Sequence, residues 1–231
     1  MSLASGDDER GGTIAVLIAD DQPLVRHGLA LILRSDPGVE VVGEVGDGLQ
    51  AVESAHRLNP DVILMDIRMP VMDGVQATTR LTAELPRCRV LALSTFDMDE
   101  YVVGALRAGA SGFLPKDVSP EELIAAVYTV HLGDAAVAPR LMTRLIEAYV
   151  KTPSTPRSQV AGLSELTPRE VEVLRLIAAG FDNAEIAKTM GIGIQTVKNH
   201  ATGLFAKLGV RDRAQAVVFA YESGLVQAGR A

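Results

Sequence analysis

The chain has 231 residues, which is enough for two domains of ordinary size. Hydrophobic residues make up 48% of it, and this excludes a globally disordered chain, which lacks the apolar residues needed for a core. The single cysteine excludes an intramolecular disulfide and a multi-thiolate zinc site. The first twelve residues lack the apolar core of a secretory signal, and no apolar run has the length of a membrane span. We therefore expect a cytoplasmic protein without a membrane partner.

The net charge of -7 is unevenly distributed along the chain. Residues 161–231 carry eight Lys or Arg against seven Asp or Glu, so this part is close to neutral. The acidity lies in the N-terminal part, and the overall charge therefore does not exclude DNA binding by the C-terminal part.

The N-terminal part alternates short apolar runs with segments of helical periodicity. The predicted strands are Ile14–Ala19, Val39–Val45, Val62–Met65, Val90–Leu93 and Gly112–Leu114. The predicted helices are Leu24–Arg34, Leu49–Leu58, Val75–Leu85, Asp99–Ala108 and a fifth that opens with the capping box at Ser119 and runs to about His131. This alternation predicts an α/β fold with a doubly wound, five-stranded parallel sheet.

The C-terminal part is predicted to be entirely helical. A short helix at Pro139–Lys151 is followed by a Pro- and Ser-rich linker at Lys151–Ser158. The later predicted helices are one from Thr167 to Gly180, then Asn183–Met190, Thr196–Leu208 and Arg213–Ser223. A short helix, a tight glycine turn and a longer helix form the helix-turn-helix pattern. We expect a first domain at 13–132, a linker with a short helix at 133–162, and a DNA-binding domain at 163–231.

Polar residues follow four of the predicted strands. Asp20 and Asp21 come after the first, Asp66 ends the third, Ser94 ends the fourth, and Lys116 follows the fifth. The carboxyl ends of parallel strands lie along one edge of the sheet, so these groups converge there. A lone Asp-Asp pair is more typical of a turn, but the joint placement favours a functional site. Carboxylates held together need a cation, and oxygen ligands with open water positions suit Mg²⁺.

The same cluster suits phosphoryl transfer. The metal ion neutralises a phosphoryl group that arrives at Asp66, where the reaction mainly needs positioning and charge stabilisation. Lys116 adds a fixed positive charge, and the hydroxyl of Ser94 donates to a phosphoryl oxygen.

Four segments resemble the signature regions of response-regulator receiver domains, over residues 13–132. They read IADDQPLVRHGL, DVILMDIRMPVMDG, LALSTFD and GASGFLPKD. The resemblance implies that Asp66 is the phosphoacceptor. It also implies that Asp21, Asp66 and the backbone carbonyl of Arg68 bind Mg²⁺, with Asp20 contributing through water.

The resemblance further assigns the residues that respond to the phosphoryl group. It implies that Ser94 is the switch hydroxyl, with Thr95 as the alternative. We prefer Ser94 because it directly follows the apolar strand, and a shift of one residue turns a side chain to the other face of a strand. Phe113 is the rotating aromatic partner, and Lys116 binds the phosphoryl group. Pro115 departs from the family pattern, and it removes a backbone donor and stiffens the loop before Lys116.

The segment from residue 163 to about 226 resembles the LuxR-type helix-turn-helix of the NarL/FixJ family. It includes the run LTPREVEVLRLIAAGFDNAEIAKTMGIGIQTVKNHATGLFAKLGVRDRAQAV. The candidate DNA contacts on the recognition helix are Thr196, Lys198, Asn199, His200, Thr202 and Lys207. Lys198 and Lys207 suit phosphates, and Asn199 suits a base edge.

Three residues of this segment depart from the family pattern. Gly193 replaces the usual N-cap serine, Gly203 lies inside the recognition helix, and Thr202 stands where a basic residue is common. These departures suggest weaker or differently targeted contacts with DNA.

Together these features predict a transcriptional regulator that a histidine kinase phosphorylates and that binds double-stranded promoter DNA as a homodimer. We expect the surface of the fourth and fifth helices to change on phosphorylation from solvent-facing to self-associating. An enzyme built on the acidic pocket is disfavoured, because the sequence lacks the P-loop, GxSxG and HExxH motifs. The alternative is a phosphorylation-independent DNA-binding regulator. This alternative predicts that one of the acidic residues or Lys116 is missing from the cluster, and all of them are present.

Overall fold

The computed structural model describes residues 12–94, 99–134, 136–137 and 162–226, and the side chains of 99–102 and 137 are outside this description. Its first domain is built on one parallel sheet with the strand order β2-β1-β3-β4-β5-β6. The strands are β1 (Ile14–Ala19), β2 (Val39–Val45), β3 (Val62–Asp66), β4 (Arg89–Ser94), β5 (Gly112–Pro115) and β6 (Ala136–Val137). All residues of β1 and β3 are buried, as expected for central strands covered on both faces.

Helices cover both faces of this sheet. They are α1 (Pro23–Arg34), α2 (Gly48–Leu58), α3 (Gly74–Glu84), α4 (Asp99–Arg107) and α5 (Pro120–His131). Alternate residues of the strands point to opposite sides, so one core contains residues of α1 and α5 and another contains residues of α2 and α3. The predicted capping box of α5 is present, with the amide of Glu122 donating to Ser119 Oγ.

The predicted doubly wound α/β fold is confirmed, and the bounds of its five strands and five helices agree within one residue. The structure adds the two-residue strand β6, whose Ala136 pairs with Gly112 at the edge of the sheet. This strand lies in the segment that the sequence assigns to the linker. Two residues are too few to show the alternation by which a strand is recognised.

The second domain is helical. It contains a 3₁₀ helix at Leu163–Glu165, then α6 (Pro168–Ala178), α7 (Asn183–Met190), α8 (Ile194–Leu208) and α9 (Arg213–Glu222). The prediction that the recognition helix begins at Thr196 is wrong by two residues, because Gly193 is already the N-cap and helical geometry starts at Ile194. The predicted helix at Pro139–Lys151 and the linker at Lys151–Ser158 lie outside the described residues.

The two domains touch through α9. Ala214 and Val218 of α9 are buried in one apolar cluster with Leu106 of α4, Ala110 and Phe113. Part of the α4 surface is therefore covered by the DNA-binding domain, whereas the sequence analysis expects it to face solvent. Among the described helices, none has the length and apolar character of a membrane span.

Candidate functional site

The acidic cluster lies where the order of the sheet reverses. Strand β1 is flanked by β2 and β3, so the chain leaves β1 and β3 in opposite directions and a crevice forms at their carboxyl ends. Carboxylate oxygens of Asp20, Asp21 and Asp66 lie within 4.8 Å of one another in this crevice. An open pocket of about 490 Å³ adjoins them, and its lining includes Asp21, Asp66 and Arg68.

Lys116 enters the cluster from β5. Its Nζ lies 2.6 Å from Asp20 Oδ2 and 2.9 Å from Asp66 Oδ2, and its side chain is only 6% exposed. Pro115 pairs in register with Ser94, and the backbone amide of Lys116 donates to the Ser94 carbonyl at 2.9 Å. Pro115 therefore fits at the end of the pairing between β4 and β5, and Lys116 still reaches the carboxylates of Asp20 and Asp66.

Burial controls the electrostatics of Asp66. The loss of hydration raises the pKa of this carboxyl, and the charge of Asp20 acts in the same direction. A hydrogen bond and the positive charge of Lys116 oppose this rise, as does the backbone amide of Arg68. A second cation at the crevice would further favour the ionised form, which is the nucleophilic one.

The donor set fits a magnesium ion. All three side chains offer carboxylate oxygens, and Asp21 is exposed while Asp20 and Asp66 are buried. The open pocket beside Asp21 has room for water ligands, which Mg²⁺ retains in proteins. The cluster therefore has the chemistry of a magnesium site.

The proposed switch residues are both buried beside the cluster. Ser94 ends β4, next to β3 in the sheet, and is 5% exposed. Phe113 in β5 is 1% exposed and shares an apolar cluster with Ile67, the residue after Asp66. Thr95, the alternative to Ser94, lies outside the described residues.

Gly74 is a residue of the site that the sequence pattern did not predict. A Cβ atom at this position would lie 2.0 Å from the backbone oxygen of Asp66, so only glycine allows this approach. The amide of Gly74 donates to the carbonyl of Ile67 at 2.8 Å, which holds the loop after β3 against α3. The Asp73-Gly74 pair was visible in the sequence, but such pairs occur in many ordinary turns.

The recognition helix α8 presents a polar face to solvent. Val197, Ala201 and Leu204 are buried in the core of the domain. The opposite face is exposed and includes Asn199 and Thr202. Of the other predicted DNA contacts, Thr196 and Lys198 are exposed and His200 is partly buried.

Lys207 differs from the other candidates because its charge has a partner within the domain. Its Nζ lies 2.9 and 2.7 Å from the two carboxylate oxygens of Glu170. Glu170 also completes the capping box of α6 with Thr167, and the lysine lowers the pKa of this carboxyl to about 2. The role of Lys207 in DNA binding stays a prediction. The same carboxylate limits space at Gly203, where a Cβ would lie 3.3 Å from Glu170 Oε1.

Gln195 is a second residue that the sequence analysis misses. It is exposed one turn before Asn199, and its Nε2 donates to Asn199 Oδ1 at 3.2 Å. Both amides therefore occupy the solvent face of α8. The predicted start of the helix at Thr196 left Gln195 outside the recognition helix.

Comparison with protein-family models agrees with this geometry. Residues 16–128 match the response regulator receiver domain. Residues 164–220 match the bacterial regulatory proteins of the luxR family. The two matches fall on the sheet domain and the helical domain, respectively.

Relatives match the chain over nearly its whole length. The response regulator protein VraR of Staphylococcus aureus is 40% identical over 215 residues, covering 93% of this chain and 100% of VraR. The chain belongs to the response regulators. The transcriptional regulatory protein LnrK of Bacillus subtilis is 39% identical over 221 residues, covering 92% of this chain and 98% of LnrK. The predicted family, a receiver joined to a LuxR-type helix-turn-helix, is confirmed.

A solved response-regulator structure extends the likeness to the fold. In a structure of two RcsB dimers bound to two parallel DNAs, RcsB is 25% identical to this chain with a TM-score of 0.55. The match covers 91% of this response regulator and 98% of the RcsB chain.

Proposed function

We propose that this response regulator accepts a phosphoryl group on Asp66 from a histidine kinase and then binds promoter DNA as a dimer. The observation that carries the proposal is the meeting of three carboxylates with Lys116 at one sheet edge. No member of this set is missing, which disfavours a phosphorylation-independent regulator. We place this activity in the cytoplasm, where promoter DNA is available.

In the phosphoryl transfer, an Asp66 carboxylate oxygen forms a bond to phosphorus while the bond from phosphorus to the donor imidazole breaks. The leaving nitrogen keeps the electron pair. Asp21, Asp66 and the Arg68 carbonyl would hold Mg²⁺, with Asp20 acting through water, and the ion would supply neutralising positive charge. Lys116 already lies 2.9 Å from Asp66 and supplies a second positive charge. The Ser94 hydroxyl donates to the new phosphoryl group.

The exposed face of α8 reads the DNA. Side-chain amides pair with the major-groove edge of adenine, so Gln195 and Asn199 favour A·T base pairs. The hydroxyls of Thr196 and Thr202 add contacts, and Lys198 meets a phosphate. His200 and Lys207 lie on the edge of this face.

Pairing of two chains compensates for weak single contacts. Residues 161–231 have nearly balanced charge, so the nonspecific attraction to DNA is small. Two recognition helices about one helical turn apart read an inverted repeat that one helix reads poorly. RcsB, which this chain matches over 98% of the RcsB chain, is bound to DNA as a dimer in a solved structure, and this supports binding by a pair of chains here.

The test is whether phosphorylation changes mass and DNA affinity together. We expect a mainly monomeric chain that becomes dimeric with beryllofluoride and Mg²⁺ and binds an inverted repeat at least about tenfold more tightly. Sedimentation velocity and mobility shift measure the two effects, and Asp66→Asn is the control that should not respond. Equal mass and affinity in both states would favour the phosphorylation-independent regulator.

Lys198→Ala should weaken DNA binding similarly for all sequences and reduce the salt slope by about 1. The reason is that Lys198 is exposed and has room to meet a phosphate. Lys207→Met tests the second predicted phosphate contact, and we expect a smaller change in its salt slope because the Lys207 charge is already paired with Glu170. Fluorescence anisotropy over a salt series measures both slopes. An unchanged slope for Lys198→Ala would remove this residue from the phosphate contacts.

A further inference from the structure

A hydrogen bond joins two exposed side chains of the recognition helix. Gln195 and Asn199 lie one turn apart on α8, and Gln195 Nε2 donates to Asn199 Oδ1 at 3.2 Å. The backbone beneath them is held in place, because Val197 and Ala201 on the other face of α8 are buried in the core of the domain. The pair therefore projects from a fixed helix toward solvent, with a defined direction for its hydrogen bond.

The direction of this bond decides what the Asn199 amide presents. Rotation of an asparagine amide by about 180° exchanges its oxygen with its NH₂ group, so an unrestrained amide presents both orders of donor and acceptor. In the structure, the oxygen of Asn199 is turned toward Gln195. This oxygen keeps a second lone pair, and the NH₂ group of Asn199 takes no part in the bond. One order of donor and acceptor is thus favoured before any DNA is bound.

A fixed order of donor and acceptor matches one base on one strand. In the major groove, adenine presents the acceptor N7 beside the donor N6, whereas guanine presents two acceptors, N7 and O6. An amide whose NH₂ group faces N7 and whose oxygen faces N6 complements adenine. The same amide places its oxygen against O6 of guanine. When the base pair is reversed from A·T to T·A, the order across the groove is reversed as well.

We propose that Gln195 is a positioning residue that fixes the amide of Asn199, so that Asn199 recognises an adenine on one defined strand of each half-site. The inference rests on the proposed function, in which α8 enters the major groove. It adds which base Asn199 recognises, and it explains how the chain distinguishes A·T from T·A.

The neighbouring exposed residue on the next turn is less suited to this role. The hydroxyl of Thr202 donates to the carbonyl of Lys198 at 3.0 Å, so its hydrogen is used within the helix. Thr202 therefore offers acceptor capacity alone. Of these two residues, only Asn199 presents a donor and an acceptor side by side.

Ile194 favours the same kind of base pair. It is the first residue of α8, and its side chain is 50% exposed. A single exposed apolar residue is ordinary on a protein surface. At the start of a recognition helix, however, side chains reach the base edges, and an apolar one suits the C5-methyl group of thymine. We therefore expect a thymine methyl within reach of Ile194 in the half-site.

The first experiment finds the base pair that Asn199 contacts. The full chain, with beryllofluoride and Mg²⁺, selects its preferred sequences from a random double-stranded DNA library, and Asn199→Ala shows which position loses its preference. We expect adenine at that position in the parent chain. Replacing this base with 7-deazaadenine, which lacks the N7 acceptor, should weaken binding by about threefold to tenfold in fluorescence anisotropy.

The second experiment tests the positioning role of Gln195. Gln195→Ala frees the Asn199 amide, and the preference for A·T over T·A and G·C at that position should fall about threefold to tenfold. The salt slope should stay unchanged, because no charge is removed. Gln195→Glu reverses the bond, since a carboxylate only accepts, and should shift the preference toward T·A. Gln76→Ala changes an exposed glutamine of the receiver and should alter neither property.

A third experiment tests Ile194 through the DNA. Replacing thymine with deoxyuridine removes only the C5-methyl group and should weaken binding by the parent chain about fourfold at one position of the half-site. Ile194→Ala should not respond to this replacement. If the parent chain binds both DNAs equally at every position, Ile194 has no thymine contact.

The outcomes separate this inference from the proposed function. A base other than adenine at the Asn199 position, or equal binding of 7-deazaadenine there, would overturn adenine recognition. If Gln195→Ala changes only a different base pair, or lowers the affinity for all sequences equally, Gln195 does not position Asn199. If the parent chain selects no sequence at all, the proposed function fails, and the inference fails with it.

Discussion

We expect Asp66→Asn to abolish the phosphoryl adduct that a small phosphodonor forms in the presence of Mg²⁺. In the proposed function the carboxylate oxygen of Asp66 is the nucleophile, and an amide at this position has neither its charge nor its reactivity. Asp66 is 5% exposed and pairs with Lys116 at 2.9 Å. Asparagine fits the same volume, so the expected result is complete loss of the adduct in a folded protein.

Intact-protein mass spectrometry measures this loss, and circular dichroism confirms the fold of the variant. Asp47→Asn is the matched control, because Asp47 is a buried aspartate that caps α2 through the amide of Gln50. Asparagine is an equally good N-cap, so this control should retain the adduct. An adduct that persists in Asp66→Asn would assign the phosphoacceptor to another residue.

Gly74→Ala should destabilise the receiver by about 3 kcal/mol and slow phosphorylation at least about tenfold. The added Cβ would lie 2.0 Å from the backbone oxygen of Asp66, and this contact is with backbone that no side-chain rotation can relieve. The end of β3 must then shift, which displaces the Asp66 carboxylate from Lys116. Stability and phosphorylation therefore fall together.

Urea unfolding and the rate of adduct formation measure these two effects of Gly74→Ala. Gly28→Ala is the control, because Gly28 lies inside α1 with no atom within 4 Å of its added Cβ. Alanine has the higher helix propensity, so this control should gain about 0.5–1 kcal/mol. If Gly74→Ala is as stable and as reactive as the parent chain, the loop after β3 can move to make room for the Cβ atom, and the prediction is wrong.

The sequence alone determined the order and nature of the elements because their signals are local. Burial on both faces makes β1 and β3 continuous apolar runs, and capping boxes mark the starts of α5 and α6 within four residues. The convergence of Asp20, Asp66 and Lys116 also followed, since all carboxyl ends of a parallel sheet lie on one edge.

Only the tertiary structure decided which residues from distant segments meet. It pairs Lys207 with Glu170, places Gly74 against the Asp66 backbone, and joins Ser111 to Asp212 across 101 residues. Each of these contacts depends on the distance between packed elements, to within about an ångström, and no pattern along the chain encodes that distance. For the same reason, only the folded chain shows that α9 covers α4. An apolar pattern in the sequence does not indicate which other apolar surface it will pack against.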